Sequence, residues 1–189
     1  EKRALYDDAA FRALLREGKT HDGHRPLGMP ILMFQRLSDQ DIADITAWVR
    51  SLPAVANPGL PAPWLSDATK KSLADGTFPY DDDVPVPGIV APAVRPTEPK
   101  ALGEYLAMTS CPECHGRDLT GWGPEDETPS LVLVAKAYSN ETFARLMKTG
   151  ITASGKESKS GMMTGIARGR TATMTDAEIA ALKLYLDSR

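Results

Sequence analysis

Cys111-Pro112-Glu113-Cys114-His115 is a C-x-x-C-H motif near the middle of the chain. Two thiols on one helical turn can add to the two vinyl groups of a porphyrin and form thioethers. The histidine directly after the second thiol then lies under the iron and can donate an imidazole nitrogen to it. The motif therefore predicts one covalent c-type haem, held by Cys111, Cys114 and His115.

Two other kinds of site use a pair of cysteines. A structural zinc site needs four ligands, whereas the chain has two cysteines and three histidines, and His21 and His24 lie far from the motif. A thioredoxin-like C-x-x-C is expected at a strand-to-helix turn, and no β-rich pattern precedes Cys111. The motif favours haem attachment, with zinc binding and thiol–disulfide chemistry as the alternatives.

The composition is that of a soluble globular chain. Of the 189 residues, 42% are hydrophobic and 25% are charged, and the net charge of -3 argues against binding to nucleic acid or to an anionic membrane surface. No apolar stretch reaches the ~18 residues of a membrane span, so we expect no transmembrane segment in this chain. Features of a secretory signal are also absent, and because the chain begins with Glu1 we expect a processed or interrupted start.

Helix signals flank the motif on both sides, and strand signals are nearly absent. Apolar spacing predicts a short helix over 99–110, with a glycine at position 103 for close helix contact. Ser139 and Gly150 are good start and stop signals for a second helix, and Thr175 with Glu178 forms a capping box that opens a third. The apolar positions of these helices are Ala101, Leu102, Tyr105, Leu106 and Met108; Phe143, Leu146 and Met147; and Ile179, Leu182, Leu184, Tyr185 and Leu186.

A methionine pair lies between the last two helices, in Gly161-Met162-Met163-Thr164-Gly165, and the glycines predict a flexible loop there. Residues 99 to 189 resemble the class I cytochrome c family. They contain, in order, a helix before the motif, a loop after it, a middle helix, this methionine-bearing loop and a final helix. The resemblance implies that a loop methionine binds the haem iron opposite His115. The spacing to Met174 favours Met163 over Met162, and the alternative is that both methionines only fill the core.

The same resemblance implies further contacts around the haem. The backbone carbonyl of Pro129 is expected to accept a hydrogen bond from His115, which would fix the orientation of the imidazole. Gly103 and Tyr105 are expected to meet Leu182 and Tyr185 where the first and last helices cross. Trp122 is expected to border the haem pocket.

The chain also contains an internal repeat. Phe11, Gly18, Thr20 and Gly23 recur 132 residues later. A second set, Leu37-Ser38-Asp39, Ile42, Ile45 and Trp48, is matched 137 residues later by similar residues, namely Met174-Thr175-Asp176, Ile179, Leu182 and Tyr185. Residues 1–53 are therefore predicted to be the C-terminal half of a second cytochrome c-like domain. Within that half, Met29 is the candidate axial ligand of a second haem, Met33 is a weaker candidate, and His21 and His24 have the surroundings of solvated turns.

No C-x-x-C-H precedes Met29, and a half-domain of this size would bury too little apolar surface to be stable alone. Three explanations remain open. The chain can be part of a longer di-haem protein, which we favour; another polypeptide can supply the haem-bearing half; or the half can be a haem-free remnant.

Residues 54–98 hold more than half of the fifteen prolines and are predicted to form an extended linker.

The predicted architecture is all-α: a mono-haem cytochrome c domain at 99–189, the half cytochrome c-like segment at 1–53, and the proline-rich linker at 54–98. We expect an electron carrier rather than an enzyme, in which His115 and Met163 fill both axial positions of the haem iron. Its partners would be redox proteins such as a dehydrogenase, an oxidase or another respiratory or photosynthetic complex. We expect a periplasmic or other extracytoplasmic location. The alternative is a peroxidase-like haem enzyme or a gas sensor with an open or displaceable sixth ligand.

Overall fold

The computed structural model describes residues 5–53, 65–78, 84–122 and 128–189, and within these ranges the chain is helical. The only β-type pairing there is an isolated bridge between Ile151 and Glu157. The all-α prediction is confirmed. The helices are α1 (Asp8–Glu17), α2 (Ile31–Phe34), α3 (Asp39–Ser51), α4 (Asp67–Ala74), α5 (Pro99–Ser110), α6 (Pro112–His115), α7 (Leu131–Val134), α8 (Asn140–Thr149), α9 (Met162–Gly169) and α10 (Asp176–Asp187), with short 3-10 helices at Ala135–Ala137 and Thr171–Thr173.

The helices around the C-x-x-C-H motif begin at the predicted caps. The Ser139 side chain accepts from the backbone N–H of Thr142, and Gly150 ends α8 in the left-handed conformation. Thr175 and Glu178 form both hydrogen bonds of a capping box at the start of α10. The helix predicted over 99–110 has these same bounds in the structure. It begins at Pro99 because proline is suited to the first helical turn and the Glu98 side chain accepts from two backbone amides.

The core of the C-terminal domain is built on the crossing of α5 and α10, the most extensive helix contact in the described residues. The crossing is so close that a Cβ added to Gly103 would lie 1.9 Å from the carbonyl oxygen of Ala181 and 2.8 Å from the Cβ of Tyr185. The expected contact of Gly103 with the last helix is therefore confirmed. Side chains of α5, α8 and α10 complete the core, including Leu106, Met108, Phe143, Leu146, Met147, Ile179, Leu182 and Leu186.

Three local predictions were wrong. Leu184 is 49% exposed rather than in the core, because it lies on the outer side of α10. The methionine pair begins the helix α9 rather than lying in a flexible loop. The linker is not extended throughout: α4 forms at Asp67–Ala74, where Ser66 caps the first turn by accepting from Thr69 N–H. The parts of the linker at 54–64 and 79–83 are outside the described residues.

The N-terminal segment repeats the backbone of the C-terminal domain as well as its sequence. Helices α1 and α8 each have ten residues, a side-chain N-cap and a left-handed glycine at the C-terminal end, Gly18 and Gly150. The turns that follow also match: Thr20 N–H donates to the carbonyl of His24 at 2.9 Å, and Thr152 N–H donates to that of Lys156 at 2.8 Å. Because backbone hydrogen bonds recur at the sequence offset, the two segments share a local fold.

This N-terminal segment packs directly on the C-terminal domain. The Tyr105 hydroxyl of α5 accepts from the backbone N–H of Ser38 at 2.8 Å and donates to the carboxylate of Asp41. Arg95 bridges the two parts, with guanidinium contacts to Asp41 at 3.3 Å and to Glu178 at 2.9 Å. The ring of Tyr105 therefore belongs to the core of the C-terminal domain, while its hydroxyl forms hydrogen bonds with the N-terminal segment.

Candidate haem site

The C-x-x-C-H motif forms a single tight turn at the end of α5. Cys111 ends α5 and precedes α6, and its carbonyl accepts from the backbone N–H groups of Cys114 at 3.2 Å and His115 at 2.9 Å. Pro112 occupies the first position of α6, where its lack of an N–H is tolerated, and it is fully buried. This turn brings both thiols and the imidazole to one short segment, as covalent haem attachment requires.

His115 is buried and oriented by a hydrogen bond. Its Nδ1 donates to the carbonyl oxygen of Pro129 at 2.8 Å, the contact that the resemblance implied, and only 9% of the residue is exposed. Burial lowers the pKa of His115, with the Pro129 bond opposing the shift. The imidazole is therefore neutral near pH 7, and Nε2 has no hydrogen-bond partner in the described part of the chain, so it is free to act as a metal ligand.

The loop after the motif reaches Pro129 because of a glycine. Gly121 N–H donates to the carbonyl of His115 at 2.8 Å, and the φ of Gly121 is +87°. A Cβ at this position would lie 2.6 Å from the carbonyl oxygen of Thr128 and 2.9 Å from the carbonyl carbon of Pro129. Gly121 thus allows two backbone segments to approach closely, which places the Pro129 carbonyl against the imidazole.

The thiols have properties unlike those of redox-active or zinc-binding cysteines. Burial raises the pKa of Cys111 to about 12, and burial together with the Glu113 carboxylate raises that of Cys114. Reactive C-x-x-C cysteines have lowered pKa values instead. In addition, no group of three or more His, Cys, Asp or Glu residues that could hold a metal ion occurs in the described ranges. Neither zinc binding nor thiol–disulfide exchange is supported by this site.

The structure distinguishes between the two adjacent methionines. Met162 is 53% exposed, whereas Met163 is half-buried and packs against the domain core. The next residue, Thr164, anchors the start of α9: its hydroxyl donates to the carbonyl of Gly150 at 2.7 Å and accepts from Ser158 N–H at 2.9 Å. Met163 therefore lies on the side of α9 that packs against the domain core.

A surface ion pair connects the cysteine turn to the end of the methionine helix. Arg170, just after α9, lies 3.2 Å from the carboxylate of Glu113, and both side chains are more than a third exposed. An exposed pair of this kind contributes about 0–1 kcal/mol. It helps to align the two elements but does not determine their arrangement.

The residues present fit a c-type haem. They comprise two unpaired thiols, a neutral imidazole with a free Nε2, and an inward-facing thioether, which is the donor set that the prosthetic group uses. The hydroxyl of Thr128, the residue before Pro129, is buried without a hydrogen-bond partner among the described protein groups. Trp122 is 42% exposed in the neighbouring loop.

Other candidate ligands lie in the N-terminal segment. Met29 is half-buried just before Pro30, the N-cap of α2, and is not brought to the His115 site. His21 and His24 are exposed, with the edge of His21 against Tyr6 and His24 beside Asp22. Met33 is the methionine of this segment that reaches the C-x-x-C-H turn, as a neighbour of Glu113.

The fold and this site define a small helical domain for covalent haem attachment. In agreement, the family model for cytochrome c matches residues 101–189, and this part of the chain belongs to the cytochrome c family. No curated protein matches the chain. No helix in the described residues is long and apolar enough to cross a membrane. Membership of the family supports electron transfer through a covalent haem c, with redox proteins as the general class of partner.

Several residues that shape the site were not identified from the sequence. Thr164 and Gly121 act through contacts with backbone groups, whereas Arg170 acts through a single ion pair. Neither kind of contact leaves a sequence motif. The signal for Gly121 was its place in a glycine-rich loop, and that for Thr164 was its position beside the methionine pair. Met33 was considered only as a ligand, and nothing in its sequence surroundings indicates a contact 80 residues away.

Proposed function

We propose that this chain is an electron-transfer cytochrome in which one haem c is bound through Cys111 and Cys114, with His115 and Met163 as axial ligands. The observation that carries the proposal is the buried, neutral His115, oriented by Pro129 on the turn that also holds both thiols. When bound, the haem supplies an iron that gains and loses one electron. The protein's part is to hold its ligands and exclude water.

Each axial residue has a separate task. Pro129 holds the His115 ring so that Nε2 is directed away from the backbone loop, and burial keeps this nitrogen unprotonated near neutral pH. Met163 offers a soft thioether, which favours the ferrous state and raises the reduction potential relative to a second histidine. With both positions filled by protein, a bound haem would offer small molecules no vacant coordination site.

A haem enzyme or gas sensor is the competing function, since it needs an open or easily displaced sixth position. Met163→Ala should open the iron to exogenous ligands such as cyanide, whereas Met162→Ala is the matched control and should leave the haem spectrum unchanged. Cyanide titration of the ferric protein followed by absorption spectroscopy distinguishes the two variants. If wild-type protein binds cyanide as readily as Met163→Ala, electron transfer with Met163 as ligand is refuted.

We further propose that residues 1–53 are half of a second haem domain, with Met29 as axial ligand. The matching backbone of the two segments supports this, as does an uncovered helix face. Tyr185 of α10 is 3% exposed because α5 covers it, whereas Trp48, its counterpart on α3, is 63% exposed. The ratio of haem iron to this chain, measured in protein isolated from its natural source, should be two. A ratio of one, with a spectrum unchanged by Met29→Ala, would contradict a second haem.

The remaining parts of the proposal concern the cell. We infer that the protein works in the periplasm or another extracytoplasmic space and relays electrons to or from a dehydrogenase or membrane complex. The expectation rests on the covalent haem and on the family, whose members exchange electrons with other proteins. Cell fractionation followed by haem staining tests the location, and co-purification of a redox-active partner tests the relay.

A further inference from the structure

The backbone N–H groups of the haem-attachment turn are almost all paired within the turn. A helix start leaves its first amides without intrahelical acceptors. Here Pro112 has no N–H, Cys114 and His115 donate to the carbonyl of Cys111, and Gly116 donates to that of Pro112 at 3.0 Å. Cys111 provides no side-chain cap. The N–H of Glu113 is the one amide of this turn without a backbone acceptor.

The acceptor for that amide comes from the other end of the chain. The N–H of Glu113 donates to Sδ of Met33 at 3.4 Å, within the range of a hydrogen bond to sulfur. Met33 is only 5% exposed and follows the fully buried Ile31 and Leu32 in α2. Since thioether sulfur is a weak acceptor, the bond depends on burial and on a fixed position of α2.

Contacts elsewhere in the N-terminal segment keep α2 in place. The following turn is held by Tyr105, whose hydroxyl accepts from Ser38 N–H at 2.8 Å. At the C-terminal end of α2, the side-chain oxygen of Gln35 accepts from Val86 N–H at 2.9 Å, and the backbone carbonyl of Gln35 accepts from Arg16 at 2.6 Å. Met33 therefore approaches the turn from a helix whose C-terminal end is held by these hydrogen bonds.

We propose that Met33 is a positioning residue for the haem-attachment turn, so that the N-terminal segment completes the haem site of the C-terminal domain. Its sulfur caps the amide next to Cys114. The turn that carries both cysteines and His115 is thereby kept closed. The inference rests on the proposed haem binding, but it concerns a contact that the C-terminal domain cannot make by itself.

Met33→Leu separates the role of the sulfur from that of packing, because the two side chains are similar in volume and such exchanges usually cost little stability. The matched control is Met147→Leu, since Met147 is also 5% exposed but lies in the domain core without a contact to the Glu113 amide. All three proteins are prepared with haem attached. Hydrogen exchange of the Glu113 amide is followed by NMR in the ferrous state, together with the reduction potential.

Met33→Leu should raise the exchange rate of the Glu113 amide by about fivefold or more, as expected when one hydrogen bond is lost. It should also shift the reduction potential, because the turn that orients His115 opens more often, whereas Met147→Leu should leave the Glu113 amide unchanged. Equal Glu113 exchange in Met33→Leu and wild type would overturn the proposal. A protein that never acquires haem would instead refute the proposed function, so the two failures can be told apart.

Discussion

Gly103 provides a quantitative test of the α5–α10 crossing on which the haem domain is built. In Gly103→Ala the new methyl group would lie 1.9 Å from the carbonyl oxygen of Ala181 and 2.6 Å from its carbonyl carbon. Side-chain Cβ atoms essentially never approach closer than 3.0 Å, so the helices must separate by about 1 Å. Both close atoms belong to the backbone, and no side-chain rotation can relieve the contact.

The expected cost follows from two opposing effects. Overpacking of a tight core site destabilises by about 1–3 kcal/mol. Alanine favours the helix over glycine by about 1 kcal/mol, which offsets part of that cost. Because a 1.9 Å approach to a backbone atom puts this site at the upper end of the overpacking range, we expect Gly103→Ala to lower the free energy of unfolding by ~2 kcal/mol, and the larger Gly103→Val to lower it further. For a chain of this size, 1 kcal/mol corresponds to about 2–4 °C in Tm.

The assay is urea unfolding of the haem-loaded protein, followed by circular dichroism. Gly169→Ala is the control, because Gly169 ends α9 and an added Cβ there meets nothing within 4 Å. That variant should be as stable as wild type, or up to ~1 kcal/mol more stable. If Gly103→Ala behaves like Gly169→Ala, the two helices do not cross at the distance described here.

Three further predictions concern single contacts. Gly150→Ala should destabilise the protein by about 1–3 kcal/mol and raise its cyanide affinity. The φ of Gly150 is +75°, and the Cβ of an alanine there would lie 2.7 Å from the Cα of Thr164. Urea unfolding measures the change in stability, and cyanide titration measures the change in affinity. Tyr105→Phe should cost about 1–3 kcal/mol in urea unfolding, since it leaves the N–H of fully buried Ser38 without its acceptor; an unchanged midpoint would contradict that contact. The hydrogen bond from Thr175 N–H lowers the pKa of Glu178 below 4.5, and the Thr175 hydroxyl and Arg95 add to this shift. The ionised Glu178 carboxylate therefore stabilises the folded state above pH 4.5, and this stabilisation is lost as the pH falls through the lowered pKa. Thermal melts of Glu178→Gln should therefore depend less on pH in that acidic window than those of wild type.

The local structure of the haem domain could be predicted from the sequence because its signals are local. Ser139 and the Thr175–Glu178 box define helix starts through side chains within three residues of the amides they serve. Pro99 suits a first helical turn because it has no N–H to satisfy. The internal repeat likewise predicted the fold of α1 and α3 from that of α8 and α10. In each case the interacting groups are close in sequence, so a residue pattern is sufficient.

The remaining features depend on contacts between distant parts of the chain. The segment from Gly161 to Gly165 contains helix-disfavouring glycines, yet α9 begins at Met162 because Thr164 is tied to Gly150. The Tyr105 hydroxyl accepts a hydrogen bond from the N–H of Ser38, 67 residues away in the sequence, and the sulfur of Met33 accepts one from the N–H of Glu113, 80 residues away. Neither tyrosine nor methionine has a local pattern that indicates such a partner.

The most direct test of the proposed function is the electron paramagnetic resonance spectrum of the ferric, haem-loaded protein at neutral pH. Ligation by His115 and Met163 predicts a single low-spin, six-coordinate species, and Met163→Ala should convert it to a high-spin form. A high-spin, five-coordinate iron in the wild-type protein would contradict the assignment of Met163 and favour a haem with an open site instead.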